Sequence, residues 1–240
     1  MVTSMGMGNF RLKEKVAWIT GAGGALGREI AVSFAREGAD LVLCDLDKPS
    51  LEKAAYEAGK TGRKVFSGVF DVSQEEQVMD FFSKAEEKFG KVDLLVNNAG
   101  IYIPEANLWE VEKADFLKCL EVNLLGAWYC IKAAVPGMRE RRFGRIINIT
   151  SGLSVVNMAK WGPYSCSKAA LNALTRTCAE ENKGFNILVN GVEPGLFNSP
   201  MNPQIAVPPT RPIPDVLLLA TLPEKSINGR FVNGCKDVGW

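Results

Sequence analysis

The chain contains no histidine among its 240 residues. Histidine general bases, Ser-His-Asp triads and imidazole metal ligands are excluded together, so any proton transfer must rest on other side chains. Six cysteines, Cys44, Cys119, Cys130, Cys166, Cys178 and Cys235, form no C-x-x-C pair. They read as reduced thiols in a reducing compartment, and neither zinc nor a disulfide framework is expected. Net charge is only +1, from 28 basic and 27 acidic residues. No polybasic or acidic field exists to attract nucleic acid or a membrane surface. No apolar run approaches the ~18 residues of a membrane span, and Met1–Asn9 places no apolar stretch after a basic start. The expectation is a cytoplasmic protein with no metal, no nucleic-acid partner and no membrane partner.

Hydrophobic content of 47% and charged content of 23% are those of a globular chain, and the length suits one α/β domain with a large core. Val16-Ala-Trp-Ile-Thr20 is a short apolar run that stops at glycines, as a buried strand does. Gly21-Ala-Gly23-Gly-Ala25-Leu26-Gly27 follows, then a helical pattern with Leu26, Ile30 and Phe34 on one face, closed by Gly38. Leu41–Cys44 is a second strand, ending at Asp45. Strand, glycine loop, helix, strand and acid form the first unit of a dinucleotide-binding fold. Glycines permit a tight turn and close approach to a pyrophosphate, whose charge suits a helix N-terminus. A carboxylate at Asp45 would accept hydrogen bonds from ribose hydroxyls and repel the additional phosphate of NADP, which favours NAD. The loop alone is a weak signal, because Leu26 stands where G-x-G-x-x-G has its third glycine.

Lys64–Val69 reads as a third strand, ahead of Asp71-Val72. Ser73 is expected to start a helix in a capping box with Glu76, running towards Lys88 and stopping at Gly90. Leu94–Val96 is a fourth strand ending in Asn97-Asn98-Ala99-Gly100, which fits a turn or a small-residue floor under a cofactor. A long helix is expected from about Lys113 to Met138. It contains Asn123 among apolar residues, where an amide must find hydrogen bonds. Arg145–Ile149 and Ile187–Val192 are the fifth and sixth strands, the latter running into Glu193-Pro194-Gly195. Such alternation predicts an α/β fold: a single Rossmann-type doubly wound parallel sheet of about seven strands, helices on both faces. Residues 196–214 carry six prolines, at 200, 203, 208, 209, 212 and 214, which suit a short lid over a substrate and no regular element. Asp215–Ala220 is expected as a short helix and Gly229–Val232 as a last strand, all within one domain spanning 1–240.

The chemistry concentrates between Ser151 and Lys168. Tyr164 and Lys168 are one helical turn apart on the same face, and Pro163 suits the first turn of that helix. A tyrosine titrates near ~10, too high for a base at neutral pH. A lysine cation one turn away is expected to favour the phenolate and lower that value. A hydroxyl at Ser151, on the end of the preceding strand, could hydrogen-bond a substrate oxygen as charge develops there. Alone, Tyr-x-x-x-Lys is equally an ordinary amphipathic pair.

Thr20-Gly-Ala-Gly-Gly-Ala-Leu-Gly27, Asp45, Asp71-Val72, Asn97-Asn-Ala-Gly100, Asn123, Ser151, Tyr164-Ser-Cys-Ser-Lys168 and Pro194-Gly195 occur in this order. In these pieces the chain resembles the short-chain dehydrogenase/reductase family over essentially its whole length. The resemblance implies a catalytic set of Asn123, Ser151, Tyr164 and Lys168. Tyr164 would be the general acid/base and Ser151 would orient the substrate. Lys168 would hold the nicotinamide ribose, and Asn123 a water that relays protons to solvent. It further implies a cofactor site of Gly21, Gly23, Ala25, Leu26, Gly27, Asp45, Leu46, Asp71, Val72, Asn98, Ala99, Gly100, Tyr164, Lys168, Pro194, Gly195 and Ser199. Hydride transfer between substrate and NAD would interconvert a secondary alcohol and a ketone, a chemistry that belongs to the cofactor.

Three departures stand out. Ala25 replaces the middle glycine, the region after Met201 is short and proline-rich, and the ending resembles carbonyl-reductase-like members that finish on tryptophan. Tyr102, Leu153, Trp161 and Leu196, with Val155, Met158 and Phe197, lie after strands four to six. They are candidates for an apolar substrate pocket, or equally for packing. An NADPH-dependent 3-oxoacyl-thioester reductase is the alternative enzyme, disfavoured by Asp45 and the near-zero charge. A non-catalytic NAD-binding sensor is the alternative outside catalysis. The helices around Asn123 and after Tyr164 suggest a homodimer or homotetramer.

Overall fold

The computed structural model describes residues 10–156 and 158–239. The readings of Met1–Asn9 and of the terminal Trp240 lie outside the described residues. In chain order the elements are β1 (Val16–Thr20), α1 (Ala25–Arg36), β2 (Asp40–Asp45), α2 (Lys48–Gly59), β3 (Val65–Val69), α3 (Glu75–Phe89) and β4 (Leu94–Asn97). Then follow α4 (Lys113–Leu120), α5 (Gly126–Arg141), β5 (Gly144–Ile149), α6 (Gly162–Glu181), β6 (Ile187–Val192), α7 (Ile213–Ala220), β7 (Phe231–Asn233) and β8 (Lys236–Asp237). All strands join one sheet in the order β3-β2-β1-β4-β5-β6-β7-β8. Pairing is parallel throughout except for the β7–β8 hairpin. Among the described residues the sheet thus has the expected seven parallel strands, and adds a two-residue antiparallel β8 too short to show any alternation.

Every residue of β1, β4, β5 and β6 is buried, as expected of parallel strands covered on both faces. Alternation persists within these apolar runs. Ala17, Ile19, Leu41 and Leu43 face a core closed by Leu26, Ile30, Phe34, Leu51, Val216 and Leu219. Trp18, Val42 and Cys44 face the opposite core, with Val78, Phe81, Phe82, Ala134 and Cys178. A buried polar chain crosses beneath the second layer. Asn97 Nδ2 donates to Asn148 Oδ1 at 2.8 Å, and Asn148 Nδ2 to the Thr175 hydroxyl at 2.8 Å. It fixes α6 over the ends of β4 and β5, since buried amides are costly unless paired. Among the described residues, no helix is long and apolar enough to cross a membrane.

Two local expectations fail. Helix α3 begins at Glu75 behind Gln74, which makes no side-chain cap. Ser73 instead donates its hydroxyl to the Asp71 carboxylate at 2.7 Å, so the competing acid two residues earlier takes the serine. The long helix is also interrupted: α4 ends at Leu120, and Glu121–Leu125 form a π turn before α5. One extra residue per turn leaves no mark on an apolar pattern, yet such bulges gather at functional sites.

The proline-rich segment folds as turns around Asn198. Its Nδ2 donates to the carbonyls of Pro203 and Ile205, each at 3.0 Å, and its N–H to Val207 at 2.7 Å. Pro212 and Pro214 enter α7 at its cap and first turn, where a missing N–H costs nothing.

Phe34, fully buried on α1, anchors that helix to the sheet. Phe34→Ala is expected to cost about 3–5 kcal/mol through lost burial and a residual cavity, read as a lower urea midpoint with unchanged slope.

Candidate active site

The reversal of strand order between β1 and β4 opens a crevice at their C-terminal ends, where such sheets hold ligands. Thr20 and Asn98 lock its floor. The Thr20 hydroxyl oxygen accepts the N–H groups of Asn98 at 3.1 Å and Ala99 at 3.0 Å. Asn98 Nδ2 returns hydrogen bonds to the carbonyls of Thr20 and Gly21, both at 2.9 Å. Gly21 has φ of +61°, and a Cβ there would sit 2.9 Å from Ala99 Cα. A Cβ on Gly27 would lie 2.1 Å from the Gly21 carbonyl oxygen. Both glycines are therefore demanded by chain approaching chain. Gly23 is buried against the Ser50–Leu51 backbone of α2. Leu26 turns its side chain into the core, while Ala25 opens α1.

No side chain caps the first turn of α1, which also holds no acid. Its N–H donors and helix dipole are thus available to an anion. Asp45, at the tip of β2, accepts the Gly23 N–H at 2.8 Å and the Asp47 N–H at 3.0 Å. Leu46 beside it is exposed. The donor set fits a dinucleotide: an uncapped helix end for a diphosphate and a carboxylate for ribose hydroxyls. Asp71 is held by Ser73 and by a 3.2 Å ion pair with Lys118. Burial pushes its carboxyl up, but those hydrogen bonds and the Lys118 charge outweigh burial and leave it below the usual carboxylate range. Val72 is buried against Gly126.

Ser151, Tyr164, Lys168 and Asn123 converge beyond β5. Ser151, two residues beyond β5, is in extended backbone and opens a short 3-10 turn (Gly152–Ser154), its Oγ accepting the Leu153 N–H at 3.2 Å. Pro163 stands in the first turn of α6, which carries Tyr164 and Lys168. The Ser151 hydroxyl stands beside Tyr164 and favours its phenolate. Lys168, buried, donates to the Ile149 carbonyl at 2.8 Å, and its Nζ lies 5.7 Å from the Tyr164 ring centroid. The expected lowering of the tyrosine is not met. Burial pushes Tyr164 up, the Ser151 hydroxyl opposes that only in part, and Cys119 and Glu193 add to the rise. Lys168 is the group pushed down, to about 8, by burial. Asn123 lies in the π turn, buried, with both amide hydrogens engaged. Its Oδ1 accepts the Ile101 N–H at 2.8 Å, and its Nδ2 donates to the Ile101 carbonyl and the Ser167 hydroxyl, each at 2.9 Å.

A family profile described as short chain dehydrogenase matches residues 15–208. The chain belongs to the short-chain dehydrogenase family. Among its curated relatives, 3-oxoacyl-[acyl-carrier-protein] reductase FabG of Thermotoga maritima is 35% identical over 195 residues, 81% of this chain and 79% of that one. Of solved structures, NAD+-bound xylitol dehydrogenase is 36% identical with a TM-score of 0.74, covering 76% of this chain and 70% of that one. Levodione reductase is 28% identical with a TM-score of 0.88, covering 92% and 96%. The protein is accordingly an oxidoreductase acting on CH–OH groups, and its family binds a nicotinamide cofactor.

Within this dehydrogenase fold, the candidate substrate residues divide. Tyr102 stacks on Trp161 at 5.7 Å, and Trp161 meets Tyr164 edge-on at 5.8 Å, so the three rings form one wall. Leu153 is half-buried, and Val155, Met158 and Leu196 are exposed nearby in the chain. Phe197 packs into the core instead. Glu193 accepts the Gly195 N–H at 2.9 Å and a hydrogen bond from Asn233. Arg211 lies over Gly195 and donates to the Pro194 carbonyl at 3.1 Å. Ser199 pairs with Asn202 in an isolated bridge. Ser167 and Arg211 had no sequence reading as site residues. Arg211 is brought in by the tertiary fold alone, and Ser167 was hidden inside the Tyr-x-x-x-Lys spacing.

The Lys168 shift has a stability consequence. Below about pH 8 folded and unfolded chains both carry its proton, so folding bears the whole cost of burying the charge. Between about 8 and the ordinary 10.5 the unfolded chain binds more protons, so this contribution to stability rises with pH. Lys168→Met should therefore be more stable than the wild type at pH 7, by up to about 3 kcal/mol, with the gap closing by pH 10.5. Paired urea titrations at the two pH values check this, and a variant no more stable at pH 7 would contradict it.

Proposed function

We propose that the enzyme is NAD-dependent and interconverts a secondary alcohol and a ketone, with Tyr164 as general acid/base. The observation that carries this is the meeting of Ser151 and Tyr164 beyond β5, with buried Lys168 one helical turn from Tyr164. The Ser151 hydroxyl would orient the substrate oxygen, and the Tyr164 hydroxyl would give a proton to a ketone or take one from an alcohol. The neutral phenol favoured by burial is the proton-donating form, ready for reduction, while oxidation draws on the phenolate. Lys168 would hold the nicotinamide ribose, and Asn123 a water passing protons outward. When bound, the nicotinamide supplies the hydride acceptor or donor.

Gly21, Gly23, Ala25 to Gly27, Asp45, Leu46, Asp71, Val72, Asn98 to Gly100, Pro194, Gly195 and Ser199 would line the cofactor. Asp45 supports NAD, because a phosphate on the adenosine ribose would meet its charge. Leu46 and Asp47 add no cation beside it. The Tyr102–Trp161 wall and the exposed Leu196 favour an apolar substrate, with residues 196–214 as its lid. Exposed Trp128 and Leu117, on α5 and α4, suit a homodimer or homotetramer. A 3-oxoacyl-thioester reductase is the second reading, favoured by the likeness to the Thermotoga enzyme and opposed by Asp45.

A panel of aliphatic, cyclic and aromatic secondary alcohols, offered with NAD and with NADP, tests the reading by absorbance. Tyr164→Phe is expected to lose at least about a hundredfold in kcat while NADH affinity stays within twofold; full activity would refute the assignment of the acid/base. Wild-type turnover should be faster with NAD, and Asp45→Ala should narrow the preference by at least about tenfold. A wild-type preference for NADP would refute the role of Asp45.

A further inference from the structure

We infer that Ser167 is a positioning residue for proton transfer, clamping Asn123 of the π turn to the helix that carries Tyr164 and Lys168. The inference rests on the proposed role of Asn123 and adds a residue to which no role has yet been given. Ser167 is fully buried on α6, one residue before Lys168. Its hydroxyl has one proton, and that proton goes to the Tyr164 carbonyl at 2.7 Å. Its oxygen is then left as an acceptor, and Asn123 Nδ2 occupies it at 2.9 Å. The Cys119 thiol, at the end of α4, closes the other side, 3.8 Å from Ser167 Oγ and 3.4 Å from Asn123 Nδ2.

Proton counting fixes the amide. Both Nδ2 hydrogens are committed, to the Ile101 carbonyl and to Ser167, while Oδ1 takes the Ile101 N–H. A flipped amide would turn its oxygen on the Ile101 carbonyl and its hydrogens on the Ile101 N–H, so only one orientation is satisfied. Oδ1 keeps one unused lone pair. It lies 3.3 Å from where a Cβ on Gly100 would stand, and Lys168 Nζ lies 3.5 Å from the same point. The missing side chain of Gly100 thus leaves a notch shared by Asn123 Oδ1 and Lys168 Nζ, sized for a small polar occupant such as water. Ile101 decides which way the amide faces, and Ser167 holds its nitrogen end against α6. Ser167 also ties the π turn to the first turn of α6, so Asn123 and Tyr164 keep a fixed relation. Without the hydroxyl, the buried Nδ2 loses an acceptor and the π turn loses its hold on α6.

The test compares wild type, Ser167→Ala, Ser167→Thr and Tyr164→Phe on whichever alcohol the panel identifies, with NADH affinity read separately by fluorescence titration. Ser167→Ala is expected to lose at least about tenfold in kcat, with substrate KM and NADH affinity within twofold, and to shift the titration limb of the kcat–pH profile. Ser167→Thr, which keeps the hydroxyl, should recover most of the rate. Wild-type kcat and an unmoved pH profile in Ser167→Ala would overturn the inference. So would equal losses in kcat and NADH affinity, the mark of a merely structural role. If Ser167→Ala does not fold, Ser167→Cys carries the same comparison, with similar shape and weaker hydrogen bonds. Tyr164→Phe separates the two levels: full activity there refutes the parent reading, whereas a dead Tyr164→Phe beside an unaffected Ser167→Ala refutes only this one.

Discussion

The crevice exists because β1 and β4 are neighbours whose chains leave the sheet in opposite directions, and the Thr20 hydroxyl holds the gap at a fixed width. It receives two backbone N–H groups from the strand opposite, which otherwise would lie at a strand end without a sheet partner. Asn98 returns two hydrogen bonds to the glycine loop. Four hydrogen bonds therefore set where the loop, and with it the N-terminus of α1, stands relative to Gly100. Everything further along inherits that placement. Gly100 neighbours Asn123 and Lys168, and Lys168 is tied back to β5 through Ile149.

The fold was legible because its strands are short apolar runs closed by glycine or asparagine. Leucine, valine and isoleucine buried on both faces leave little choice but a parallel sheet under helices. The family motifs, dispersed in the chain, proved to share one edge of that sheet. Four features were illegible for physical reasons. The π turn changes register by one residue without changing composition. Ser73 has two possible partners, and the nearer acid takes it rather than the helix N–H groups. The direction of the Tyr164 shift depends on how far water is excluded, a property of surrounding layers that a four-residue spacing does not contain. Arg211 belongs to the same group, since fifteen residues separate it from the Gly195 it covers.

Polar burial divides the molecule into two kinds of device. The chain Asn97–Asn148–Thr175 fixes strand ends against α6. The cluster of Asn123, Ser167 and Cys119 is equally buried, but there orientation matters as much as satisfaction. The same currency, a buried amide with its partners counted, serves architecture in one place and directional chemistry in the other. The lysine is different: its ammonium is costly where it sits, as functional groups often are.

The proline-rich segment has a consequence in entropy. Between Leu196 and Pro214 there are six prolines and no glycine, and Asn198 already gathers the chain into turns. Each proline removes backbone freedom before any ligand arrives. Folding over a bound molecule would then forfeit little disorder, and most of the contact energy would remain as affinity. The segment is also pinned near both ends, by Phe197 against the core and by Arg211 over Gly195 and on the Pro194 carbonyl, so its shape is set largely before any contact is made.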